Sequence, residues 1–119
     1  MDPFDEAQLH LTAFVMAFVV PEKRDRWGEL LSRRGRNTFR NSSKLMDALD
    51  KRYCVQVDGN WNLLPSRHGV FYDFCGEPEV KSLAEAIVLG NDTDAIFSLD
   101  PGHLAIHFSH EGWSWICQR

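Results

Sequence analysis

Apolar residues at Phe4, Ala7, Leu11, Phe14, Val15 and Phe18 recur at helical spacing, which predicts a first helix with one buried face. Asp2 stands where a helix cap is needed and Pro3 at the first helical position, places that both residue types favour. Pro21 closes this helix and opens a second through PEKRDRWGELLSRR, with Trp27, Leu30, Leu31 and Arg34 on one side and Gly35 as the stop. A third helical stretch is expected from Thr38 to Leu49. Phe39, Leu45, Met46 and Leu49 are its apolar positions, and Ser42 and Ser43 weaken its middle because their hydroxyls compete for backbone groups.

The pattern then changes period. Tyr53 to Val57 alternates and runs into Asp58, Gly59 and Asn60, a strand entering a turn. Val70 to Phe74 is a second strand candidate, and Lys81 to Leu89 a short helix closed by Gly90. Ala95 to Leu99, His103 to Ser109 and Trp113 to Gln118 follow, separated by DPG and HEG. Turn residues at both corners make this a three-stranded antiparallel meander. The fold class is therefore α+β: N-terminal helices followed by an antiparallel sheet ending in a meander, in a single domain over residues 1–119.

Alternation also assigns faces within the meander. Leu104, Ile106 and Phe108 share one face, which is expected to be the core face, and His103, Ala105, His107 and Ser109 share the other. Trp113, Trp115 and Cys117 lie on one side of the last strand, where large aromatics are expected to pack against the first helix.

Composition narrows the class further. With 119 residues, 44% hydrophobic and 25% charged, the chain suits one globular domain and excludes disorder, collagen and a disulfide scaffold. Cys54, Cys75 and Cys117 are odd in number and have no close pair, so neither a metal knuckle nor a disulfide framework is readable and a reducing cytoplasm is expected. The start, MDPFDE, is acidic where an export signal is basic. The longest apolar run, Leu9 to Val20, is broken by His10 and Thr12 and falls short of the about 20 residues a bilayer demands.

The net charge of −4 conceals an asymmetry. Glu22 to Arg52 holds ten Lys/Arg against five Asp/Glu, and the rest of the chain holds three against twelve. Such a division suits electrostatic steering of a charged partner.

The segments PEKRDRW, LDKRY, SLAEAI and SLDPGHLAIHF give the whole chain a diffuse similarity to known sequences. It resembles a family of small uncharacterised bacterial proteins in which F-[IV]-x-P-E-K-R-x-R-[WY] precedes an L-D-x-R-Y corner and a final hairpin carries P-G-x-L-A. Phe18 to Trp27 is the strong match, with Pro101, Gly102, Leu104 and Ala105 in support; Asp100 before the turn and IHFSHE after it depart from the pattern. The resemblance implies a bacterial cytoplasmic protein and supplies no catalytic residue.

No P-loop, HExxH, GxSxG or dinucleotide fingerprint is present. The segment HLAIHFSHE tempts a metal reading, yet on a strand His103 and His107 stand about 13 Å apart, too far to share an ion. His107 with His110 and Glu111, joined by His68 or an acidic loop, remains as a metal or hydrolase alternative to solvent-facing turn histidines. GNDTD, with Asp92 and Asp94, lacks the other ligands of a calcium loop and reads as local capping. Cys54 and Cys75 fall in strand candidates, where thiols are expected to be buried and inert.

Arg33, Arg34, Arg36, Arg40 and Lys44 form a basic segment in which Arg36, Arg40 and Lys44 repeat every fourth residue. On one helix they would track phosphates. The expected function is a protein-binding module of inhibitor or immunity type, with Asp92, Asp94, Asp100 and Glu111 as the partner-binding carboxylates and another protein as the partner. Nucleic-acid binding through residues 33–44 and the histidine-based enzyme are the alternatives; no cofactor and no membrane partner is expected.

Overall fold

The computed structural model describes residues 3–32, 42–57, 66–75, 77–91 and 93–119. The Asp2 cap, the Phe4 side chain, Arg34 with the Gly35 stop, the start of the third helix at Thr38, and the turn at 58–60 lie outside that part.

Helix α1 spans Pro3–Phe18. A single 3₁₀ turn, Pro21–Lys23, leads into α2, Arg24–Leu31, which buries Trp27, Leu30 and Leu31 as their spacing predicts. Of the third helical stretch, the described residues include the turn Leu45–Ala48, here α3. It stops because Leu49 swings to an extended conformation and bridges to Val19.

Six strands follow: β1 Cys54–Val57, β2 His68–Tyr72, β3 Glu79–Ser82, β4 Ala95–Asp100, β5 Leu104–Phe108 and β6 Ser114–Gln118. They form one antiparallel sheet in the order β1-β6-β5-β4-β2-β3, with the expected meander as β4-β5-β6. The fold is α+β as the periodicities indicate. Helix α4, Leu83–Gly90, sits between β3 and β4 in the chain and starts two residues later than expected. The Ser82 side chain accepts from the Glu85 amide at 3.2 Å, and Glu85 accepts in return from the Ser82 amide at 3.1 Å. That reciprocal capping box sets the boundary and frees Lys81 to join β3.

Both faces of the sheet are covered, which corrects the one-sided face assignment. On one face α1, α2 and α3 pack Phe14, Phe18, Trp27 and Leu45 against Tyr72, Ile96, Ala105 and Cys117. On the other, Leu83 and Ala86 of α4 close over Phe71, Phe97, Leu104, Ile106 and Phe108. Strands β4 and β5 are therefore interior on both sides, and Ala105, His107 and Ser109 are buried instead of facing solvent. Trp115 is half-buried against the α1 cluster, as its side of the strand suggests, whereas Trp113 stands 38% exposed in the turn before β6.

Two glycines show how tightly the layers meet. A Cβ on Gly69 would lie 2.4 Å from the Ser98 carbonyl, and one on Gly90 2.5 Å from the Phe108 ring. Gly90, the last residue of α4, thus permits close approach to β5. Gly28, on α2, would meet nothing within 4 Å. Gly90→Ala is expected to cost about 1–3 kcal/mol through overpacking, while Gly28→Ala is expected to gain about 0.5–1 kcal/mol from helix propensity. Urea unfolding of the two variants, with opposite midpoint shifts, checks the assignment.

Candidate functional site

The end of the sheet where β4 begins and β5 turns into β6 gathers most of the residues singled out by sequence. The turn is built by its own backbone and Ser109: Ser109 N–H donates to the Trp113 carbonyl at 3.0 Å, Gly112 N–H to the Ser109 carbonyl at 3.1 Å, and Glu111 N–H to the Ser109 hydroxyl at 3.2 Å. Gly112 takes φ 93°, a region that favours glycine. This geometry delivers His110 to Asp94.

Asp94 is buried and accepts three donors: the Ser42 hydroxyl at 3.0 Å, the His110 backbone N–H at 3.0 Å and His110 Nδ1 at 3.0 Å. Burial pushes its carboxyl up, but the donors from His110 and Ser42 outweigh it and hold it below the usual range. The same bond raises His110, and Glu111, whose carboxylate lies 3.9 Å from Nε2, adds to the effect. Ser42 bonds the carboxylate and not the imidazole. That reverses the order Ser–His–Asp needed to activate a hydroxyl, so the cluster acts as a lock joining residue 42, β4 and the β5–β6 turn.

His107 does not join this cluster as a ligand. It lies across the ladder from Ile96 and Trp115 and is 1% exposed. Among the described residues neither of its ring nitrogens has a hydrogen-bond partner, nor does the buried Trp115 Nε1. Burial therefore drives His107 down to about 4, keeping it neutral. Among the described residues no three His, Cys, Asp or Glu side chains are placed to hold a metal ion.

The acidic residues expected at one surface are divided. Asp94 and Glu111 meet around His110. Asp100 stands at the far end of β4, about 20 Å along the strand, where Arg67 pairs with it at 2.6 Å. Asp92, Arg33, Arg34, Arg36 and Arg40 lie outside the described residues; Lys44 is exposed just before α3.

A second acidic feature escaped sequence reading because it depends on β3. Between β3 and the end of α4 runs a groove of about 380 Å³ with Phe71 and Leu89 in its lining and Asp73, Glu77 and Glu79 contributing carboxylates. Lys81 also lines it and pairs with Glu79 at 3.3 Å. Among the described lining residues three carboxylates stand with one ammonium, Glu77 having a further partner of its own. The signal was present as alternation in Glu79, Val80, Lys81 and Ser82, but Lys81 reads equally well as helical.

Comparison with known proteins places the chain in no group: no family model, no curated protein and no solved structure matches it. No helix among the described residues is long and apolar enough to cross a membrane.

The two histidines impose opposite pH dependences. His107, depressed in the fold, contributes fully above its unfolded value of 6.5 and loses that contribution as pH falls toward about 4. The His110–Asp94 pair behaves otherwise: His110, raised in the fold, contributes below 6.5 and loses it as pH rises through the raised value. Replacing His107 with Leu is expected to remove the acid sensitivity. Its stability relative to the parent should grow by about 2 kcal/mol between pH 7 and pH 5; parallel pH profiles in urea unfolding would contradict the buried neutral imidazole.

Proposed function

We propose that this protein is a binding module of the inhibitor or immunity type, working in the bacterial cytoplasm by covering the surface of a basic protein partner, with the β3–α4 groove as the contact. The single observation carrying this reading is the groove itself: an apolar lining of Phe71 and Leu89 beside the carboxylates of Asp73, Glu77 and Glu79. A partner strand bearing alternating basic and apolar residues matches that surface on both counts. Leu89 and its neighbour Val88 are 47% and 76% exposed, so the apolar surface continues past the groove along α4. Among the described residues β3 pairs only with β2, which leaves its outer edge for strand addition. Charge complementarity would set partner choice and association rate, and the apolar lining would supply the buried area.

A fluorescent peptide of alternating Lys and Val tests the reading by anisotropy. Its binding is expected to weaken with added salt and to fall about tenfold in the double variant Glu77→Lys with Glu79→Lys. Asp100→Lys, at the opposite end of the sheet, is expected to bind as the parent does. Equal binding by parent and double variant, or no preference over a Glu/Val peptide, would overturn the assignment.

A further inference from the structure

Cys54 and Cys117, 63 positions apart in the sequence, face each other directly across β1 and β6. The hydrogen bonds around them define the kind of pair. Gln118 N–H donates to the Tyr53 carbonyl at 3.0 Å, one residue outside the pair on each strand, and Cys54 N–H turns away to the Asp50 carbonyl at 3.1 Å. Cys54 and Cys117 therefore occupy a non-hydrogen-bonded site of the antiparallel ladder, where the α-carbons approach to about 4.5 Å and side chains come closest. That spacing lies within the about 4.4–6.8 Å over which a disulfide closes without moving the backbone.

We propose that Cys54 and Cys117 form a redox-active dithiol site that a water-sized peroxide converts to a cross-strand disulfide linking β1 to β6. Size decides the oxidant class. The two cysteines are 2% and 0% exposed, which admits hydrogen peroxide far more readily than a tripeptide disulfide. The surroundings also separate the roles of the two sulfurs. The Cys117 thiol hydrogen-bonds to Cys54 and, with the Lys51 ammonium nearby, pulls Cys54 below its ordinary value; burial pushes Cys117 up. Lys51 is held there by its donation to the Met46 carbonyl and by the Trp115 ring, 4.3 Å from its nitrogen.

Cys54 is thus the attacking thiolate. Its sulfur displaces hydroxide from peroxide, breaking the O–O bond; the hydroxide takes up the proton Cys54 released and leaves as water, and Cys54 becomes a sulfenic acid. The Cys117 sulfur then attacks the Cys54 sulfur. The S–O bond breaks, the hydroxyl departs with the Cys117 proton as a second water, and the S–S bond forms. Two thiols are oxidised and one peroxide is reduced to two waters.

The exposed thiol of Cys75 is removed as Cys75→Ser so that only the pair reacts, and the folded protein is treated with hydrogen peroxide and digested for mass spectrometry. The expected result is the loss of both titratable thiols, an intact mass lower by two hydrogens, one linked peptide joining Cys54 to Cys117, and full reversal by dithiothreitol. The parent protein, mapped in the same way, should yield the same linked peptide, which keeps the test open if the variant folds poorly. Persistence of both thiols in folded protein, or oxygen addition to either sulfur without a linked peptide, would overturn the proposal.

Discussion

The structure depends on burial of β4 and β5 from both sides. A sheet with helices on each face has no solvated side on which to place polar groups, so nearly every residue of its central strands must be apolar. Ala95–Leu99 and Leu104–Phe108 meet that demand with two exceptions. Ser98 turns toward α1 and finds His10 Nδ1 at 2.8 Å, a buried polar pair whose geometry ties helix to sheet. His107 faces the same side without a partner among the described residues, and burial keeps it neutral. The absence of side chains at Gly69 and Gly90 follows from the same pressure, one glycine lying against the backbone of β4 and the other under an aromatic ring of β5.

The helices are held to one another at one corner. Val20 N–H donates to the Ala48 carbonyl at 2.9 Å and Asp50 N–H to the Phe18 carbonyl at 2.7 Å, so the end of α1 and the end of α3 form a short ladder. Arg24 Nε closes it from α2 by donating to the Val19 carbonyl at 2.9 Å. Asp50 then turns the chain toward β1: its carbonyl accepts from Tyr53 and Cys54, and its carboxylate, held at about 2 chiefly by hydrogen bonding from Arg52, accepts from that residue's backbone and guanidinium. The segments FVVPEKR and LDKRY, far apart in sequence, are therefore one structural unit, and Arg24, Asp50 and Arg52 serve the fold at this point.

Elements with strong local signals were legible in advance. The period of α1, the buried face of α2, the turn glycines Gly102 and Gly112 and the meander all follow from spacing and turn chemistry. What escaped depends on contacts distant in sequence. Gly69 argues against a strand by composition, yet β2 includes it because Phe97 and Ser98 press against that position. β3 is a polar edge strand, readable only once its partner β2 is known. The division of the acidic set had the same origin: Asp94 and Asp100 are six positions apart in sequence, but an extended strand carries them to opposite ends of the sheet. The pairing of Cys54 with Cys117 required the register of β1 on β6, which no spacing rule encodes.

Phe74 is the described non-glycine residue with a left-handed backbone, φ 68°, a conformation that costs free energy. Its ring is fully buried and rests 5.0 Å from that of Tyr72, so the side chain works as a plug that compels the backbone to reverse. Asp73 reinforces the reversal by accepting from the Cys75 N–H at 2.9 Å. The corner that carries Asp73 into the acidic groove is consequently held by its own packing and hydrogen bonding. On the proposed binding role, conformational entropy that a flexible loop would surrender on association would already have been surrendered in folding, and selectivity at that corner would fall to partners whose shape fits it as it stands.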